Sequence, residues 1–234
     1  SLNSNNYFQS GTIVSMPDLT TLDLPRSGFT TNEGLEAALR EGYYRLRILA
    51  QMEDIITGLR FSDPDYLPAD MLLGSAVVLR DVRLKAEDFT PNRVHSLTCN
   101  GGRQAQFEND TELSDVVLVT NCPVKFGQGT VLENVIIATT STSARSLNAP
   151  STLTLGRNDA CLPGGGTQLL TMGGVSFASD LHMYGSQIIA QGSIDFAANA
   201  SGIMGAAMVA GGQIDGTSNM EMGFCGDGME GNFE

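Results

Sequence analysis

Tryptophan is absent from this chain of 234 residues, lysine occurs only at Lys85 and Lys125, and histidine only at His95 and His182. Aromatic residues amount to 6%, which argues against a broad sugar-stacking platform. Four cysteines without a CxxC pair, beside two histidines, do not give a zinc site its usual ligand spacing. No cofactor signature is present either: Gly164-Gly-Gly166 lacks the lysine and the following helix of a phosphate loop. No run of about 18 apolar residues occurs, so nothing in the sequence reads as a helix crossing a bilayer. The chain starts at Ser1 with no secretory leader, and it reads as a processed or excised piece whose parent could carry a membrane anchor.

Charge is equally one-sided. The formal net charge is −13, and a field of that sign repels nucleic acid and anionic membrane surfaces. Hydrophobic residues make up 41% of the chain, enough to expect a packed core rather than disorder.

What is present is a repeat. Leu169-Leu-Thr-Met-Gly-Gly-Val-Ser-Phe177, Ile188-Ile-Ala-Gln-Gly-Ser-Ile-Asp-Phe196 and Met208-Val-Ala-Gly-Gly-Gln-Ile-Asp-Gly216 follow one pattern, with starts 19 and 20 residues apart. Leu118-Val-Thr-Asn-Cys-Pro-Val-Lys-Phe126 is an earlier copy, and a weaker one starts at Ile136. Short strands joined by tight corners at a period near 20 are the signature of a stacked β-coil. A left-handed hexapeptide helix would show a strict period of six, which is not seen. The expected fold is therefore all-β: a right-handed parallel β-helix (β-solenoid) with one flanking amphipathic α-helix.

The helix comes from residues 30–60. Thr30 and Glu33 have capping-box spacing. Leu35, Leu39, Leu46, Leu49, Met52, Ile55 and Ile56 recur at helical spacing, and Gly58 is a stop. Residues 1–29 read as a remnant of β structure, 61–114 as irregular coils and loops, and 115–234 as regular coils interrupted by an insertion at 139–168. Within the repeat, the seventh and ninth places are apolar and face the core, while the eighth faces out. The first two places are both apolar, so one of those columns must point away from the core. Leu118, Ile136, Leu169, Ile188 and Met208 are the candidate packing or partner surface, with the helix expected to cover it and a partner subunit as the alternative.

The cysteines, Cys99, Cys122, Cys161 and Cys225, suit an oxidising, extracytoplasmic compartment. Of the three possible pairings, Cys99–Cys122 and Cys161–Cys225 are favoured: the first closes a short loop at the solenoid entrance, and the second ties the insertion to the last coil. Chemistry is sparse. Asp195 and Asp215 occupy the outward eighth place of successive copies and would stack about 4.8 Å apart. That separation suits the carboxylate pair of a retaining glycosidase or half a calcium site, and equally two solvated acids. Lys125, the nearest basic residue of that column, lies several coils away. His182 in Leu181-His-Met-Tyr184 reads as an outward strand residue.

Several segments carry a family resemblance. Ser1-Leu-Asn-Ser-Asn-Asn6, Gly11-Thr-Ile-Val-Ser-Met-Pro17, Leu153-Thr-Leu-Gly-Arg-Asn-Asp-Ala-Cys161, Gln168-Leu-Leu-Thr-Met-Gly-Gly174 and Gly216-Thr-Ser-Asn-Met-Glu-Met-Gly-Phe-Cys225 resemble the exported region of TadG/TadE-like proteins of the Tad (Flp-type) pilus-assembly system of alphaproteobacteria. The resemblance implies an extracytoplasmic domain behind an N-terminal membrane helix, partnered by other pilus or envelope proteins, and no catalytic residues. The expected function is a non-enzymatic structural or adhesive component at the periplasm or cell surface. The alternatives are a carbohydrate-active β-helix enzyme using Asp195 and Asp215, and a secreted or phage adhesin that binds glycans.

Overall fold

A computed structural model describes residues 49–50, 52–56, 77–79, 82–159, 165–197, 202–216 and 222–223. Every strand pairing among them is parallel, as a coil wound in one direction requires, and the result is a β-solenoid. Its coil has three walls. The first is built from residues 112–114 of β5 (Glu112–Thr120) and 130–132 of β7 (Thr130–Thr139), then β9 (Leu153–Leu155), β12 (Leu181–Tyr184), β15 (Ile203–Met204) and β18 (Met222–Gly223). The second contains β1 (Val77–Leu79), β3 (Arg93–Leu97), the later halves of β5 and β7, β10 (Gln168–Thr171), β13 (Gln187–Ala190) and β16 (Ala207–Ala210). The third stacks β2 (Arg83–Leu84), β4 (Ala105–Phe107), β6 (Val124–Lys125), β8 (Leu147–Ala149), β11 (Val175–Phe177), β14 (Ile194–Phe196) and β17 (Ile214–Gly216).

The corners explain the polar punctuation of the sequence. Between the first and second walls the chain turns through a left-handed residue at one register position: Asp115 (φ 57°), Asn134 (φ 54°), Gly185 (φ 53°) and Gly205 (φ 60°). Those are the residue types that tolerate this conformation. Between the second and third walls, Thr120, Thr139 and Thr171 are fully buried and in register. Each hydroxyl accepts the N–H two residues on, from Cys122, Ser141 and Gly173 at 3.0, 3.1 and 3.0 Å. Thr120 and Thr139 also donate to the carbonyls of Leu97 and Cys122. A corner that would leave buried amides unpaired is thereby satisfied.

The core is the lumen of the coil. Phe107, Phe126, Phe177 and Phe196 form its central column, with Phe107 and Phe126 stacked at 5.6 Å. Leu118, Ile137, Leu169 and Ile188 line it from the second wall, and Met208 packs against it. This corrects the expected outer surface. Leu118, Leu169, Ile188 and Met208 point inward, and the column that points outward is Val119, Ala138, Leu170, Ile189 and Val209. Ile136 does face out, because it pairs with Val117 and not with Leu118. Two adjacent isoleucines, Ile136 and Ile137, give no polar neighbour to break the tie, and the register differs by one residue.

The outer column is covered from within the chain. Residues 49–50 and 52–56 are helical, and Leu49, Met52 and Ile56 are buried against Val119, Ala138, Leu170 and Ile189. Gln191 donates its Nε2–H to the Leu49 carbonyl at 3.4 Å. The expected helix residues 30–48 and 57–58, and the β remnant at 1–29, lie outside the described residues. No helix among the described residues is long and apolar enough to cross a membrane.

The segment 139–168 divides into two insertions around a regular rung. Residues 140–146 replace the three-residue corners seen at 121–123, 172–174 and 191–193. After β8 and β9 keep register, residues 156–167 replace the short bend between the first and second walls. This second insertion is tied down by Asn134 N–H to Gly165 O and by the Thr167 hydroxyl to Leu132 O.

Candidate functional site

Asp195 and Asp215 are Cα partners on the third wall, and both are exposed. They flank a shallow cavity of about 310 Å³ together with Ser176 and Gly216, and Phe177 and Phe196 form part of its lining. The period-two alternation of Ile194-Asp-Phe196 sends Asp195 out and buries its two neighbours, while Ile214, Asp215 and Gly216 of β17 are all exposed. Lys125 occupies the same outward column, but Asn148 and Ser176 stand between it and Asp195. A lyase would need a base beside its substrate's acid group, and the cavity lining contains no basic side chain.

The two histidines lie elsewhere. His182 is on the first wall, with Nε2 3.4 Å from Asp180 Oδ1 and its ring nearly parallel to Tyr184 at 6.4 Å. Thr152 donates its hydroxyl to the other oxygen of Asp180 at 3.1 Å. This half-exposed group is not brought together with Asp195 and Asp215 in the cavity. Among the described residues, no group of three His, Cys, Asp or Glu side chains comes together to hold a metal ion.

His95 is fully buried in β3, between β1 and β5. Nε2 accepts the Thr90 N–H at 3.0 Å, Nδ1 lies 3.1 Å from the Arg93 carbonyl, and Phe89 packs edge-on at 5.0 Å. That pattern suits the neutral ring with its proton on Nδ1. Burial pushes the imidazole below its ordinary value, opposed in part by the carbonyls of Val117 and Arg93. The unfolded chain therefore binds this proton first, near pH 6.5. Stability from His95 is complete above that pH and is lost as pH falls through the lower folded value. Denaturation midpoints measured between pH 7.5 and pH 5 should fall on acidification in the native chain, and His95→Gln should flatten that slope; an unchanged slope would refute the assignment.

Cys99 and Cys122 form a disulfide with Cα atoms 5.3 Å apart. They continue from Leu97 and Thr120, which are partners in adjacent strands, so the bridge spans two successive coils at one corner. The Asn121 side chain clamps the same corner, accepting Cys99 N–H at 2.8 Å and donating to Cys99 O at 3.2 Å. Cys161 and Cys225 lie outside the described residues.

Two features go beyond the apolar places of the repeat. The buried threonines of the corner are visible as the third place of the copies starting at Leu118 and Leu169, a signal that polar residues there are structural. The outward partner of Lys125 in the next rung is Asn148, not the residue at the eighth place of the copy starting at Ile136, because the corner before β8 is longer.

Among comparisons with known proteins, the family described as a domain of unknown function, DUF7867, matches residues 1–226. No curated protein and no solved structure matches the chain.

Proposed function

We propose that this chain, which belongs to the DUF7867 family, is a non-enzymatic structural or adhesive component working outside the cytoplasm. The observation that carries this reading is the disulfide between Cys99 and Cys122. A bridge that staples neighbouring coils suits an oxidising compartment, where such bonds persist. It also suits a part that must keep its shape: a stacked coil covered by its own helix is a stiff scaffold. Attachment to a Tad/Flp-type pilus rests on the resemblance carried by segments such as Leu153–Cys161 and Gly216–Cys225.

The test is made on the protein in its native cell. Surface filaments are sheared off, pelleted and examined by mass spectrometry. Co-sedimentation of this chain with the filaments is expected, and a chain found only free in the medium would sink the pilus assignment.

A second reading draws on the register pairing of Asp195 with Asp215 beside the third-wall cavity. A polysaccharide-cleaving enzyme would lose turnover on Asp195→Asn or Asp215→Asn without a change in Tm. The structural reading expects no polysaccharide cleavage by the native chain, so that neither substitution has turnover to remove.

A further inference from the structure

The corner between β3 and β4 is longer than the one stacked on it. Residues 98–104 connect those strands, where residues 121–123 suffice between β5 and β6. The base of this loop is held at both ends. Cys99 is fixed by its bridge to Cys122 and by the Asn121 side chain, and Ala105 donates its N–H to the Pro123 carbonyl at 2.8 Å. Between these points Asn100, Gly101, Gly102, Arg103 and Gln104 are all exposed. Such a loop on a rigid frame can change chemically without disturbing the ladder that carries it.

Asn100-Gly101 is the one Asn-Gly pair in the chain. Gly101 and Gly102 turn in left-handed conformations, at φ 68° and 74°, and a Cβ placed on either would meet nothing within 4 Å. Glycine adopts this conformation freely and puts no side chain of its own in the way of its backbone nitrogen. Among the described residues, nothing accepts the Gly101 N–H and nothing bonds the Asn100 side-chain amide. An unpaired backbone nitrogen thus follows directly on an unpaired, exposed carboxamide.

Other asparagines are held differently. The N–H that follows Asn109 donates to the Gln128 carbonyl at 2.7 Å, and the one that follows Asn158 donates to the Arg157 carbonyl at 2.9 Å. The one that follows Asn121 donates to the Thr120 hydroxyl at 3.0 Å. The side chains of Asn109 and Asn121 are engaged as well, with the Gln128 N–H and with the Cys99 backbone. Asn134 and Asn148 lie within β7 and β8, where the ladder fixes the backbone. A nitrogen committed to a hydrogen bond is not free to swing onto the side chain before it.

From this we infer that Asn100 is a site of self-modification, converting in the folded chain to aspartate and isoaspartate through a cyclic imide. The Gly101 nitrogen bonds to the Asn100 Cγ, the side-chain nitrogen leaves with the Gly101 proton as ammonia, and the imide ring closes. Water then adds to one of the two ring carbonyls and breaks its bond to nitrogen. Opening at Cγ leaves aspartate. Opening at the main-chain carbonyl leaves isoaspartate, in which the chain runs through the side chain. Ammonia is lost and water gained, and nothing is oxidised or reduced. Either product adds one carboxylate to a formal net charge of −13, in the same loop as Arg103. Because Cys99 and Ala105 hold the ends of the loop, the extra backbone atom of isoaspartate is taken up outside the ladder. The inference goes beyond the structural role proposed above and does not rest on it.

The experiment uses the purified, oxidised full chain without filaments, so its failure and that of the pilus reading are separate results. The folded chain is incubated in warm, mildly alkaline buffer, and circular dichroism confirms that it stays folded. Anion exchange and peptide mass spectrometry then follow each asparagine. A more acidic species is expected to accumulate with time, faster as pH rises, because the attacking nitrogen must lose its proton. The peptide carrying Asn100 should split into the amide and two acidic isomers of equal mass, one of them isoaspartate. In water labelled with heavy oxygen, both acidic isomers should take up one labelled atom. Asn109, Asn121 and Asn158 should remain amides in the folded chain. Asn100→Gln should lose the acidic species, since its longer side chain closes a larger ring far more slowly. An Asn100 that stays an amide in the folded chain overturns the inference, as does an acidic product that contains aspartate without isoaspartate.

Discussion

Replacing Phe126 by alanine is expected to cost about 3–5 kcal/mol, the range for emptying a buried aromatic site. Phe126 is fully buried, stacked on Phe107 at 5.6 Å and meeting Phe177 edge-on at 6.1 Å. The latter contact skips a rung. In β8 the aligned position is Ala149, and its small side chain lets Phe126, just after β6, and Phe177 of β11 meet across it. Phe126→Ala would place two alanines in succession in the column, leaving a void that a wall fixed by ladder bonds cannot close. Loss of the ring contacts adds about 0.5–1.5 kcal/mol beyond burial. Urea denaturation followed by hydrogen exchange at β6, β8 and β11 is the measurement. A cost below about 1 kcal/mol would mean that the lumen repacks, contrary to the rigidity of a close-packed interior. The reverse change, Ala149→Phe, should also destabilise, because no room remains between the flanking rings.

Removing the Cys99–Cys122 bridge should cost about 3 kcal/mol, the value for a closed loop of this size. The sequence separation is 23 residues. The right variant is the double change Cys99→Ala with Cys122→Ala. Reductant alone would also act on Cys161 and Cys225, and serine would put a hydroxyl at the fully buried Cys122 site. Because each coil contacts mainly its neighbours, the loss should be felt first at β3 and β5 and the corner between them. Amide exchange there should accelerate before exchange at β13 or β14 changes. Uniform destabilisation of all coils would show instead that the solenoid melts as one cooperative unit.

Much of this molecule is legible in one dimension. A repeat near 20 residues, with apolar seventh and ninth places, identifies the coil, and Val124/Phe126, Val175/Phe177 and Ile194/Phe196 face the lumen as that alternation requires. The pairing of Cys99 with Cys122 follows from their positions at one corner of adjacent coils. The need for a cover over a second apolar face was also legible, since adjacent apolar places in a strand cannot both point inward. Leu49, Met52 and Ile56 meet that need.

The register was another matter. Which of Ile136 and Ile137 faces in is set by pairing with Leu118 and Leu169, and neighbouring β-branched residues are interchangeable in a one-dimensional pattern. The candidate surface took the first place of each copy, whereas the second place faces the helix; Ile136 alone of the five faces out, because its copy is offset by one residue. The insertion at 139–168 hid a regular rung because its flanking corners lengthened independently, at 140–146 and 156–167.

The sequence by itself thus determined the fold class, the lumen residues of the third wall and the staple between Cys99 and Cys122, since these depend on local alternation and on short-range spacing that repeats. Only the tertiary structure decided which of two apolar columns lies under the helix, and that Asn148, not Ser143, follows Lys125 in the outward column of the third wall. Both depend on how distant strands align, and a ladder sums pairing preferences across all its rungs before any one residue acquires its neighbour.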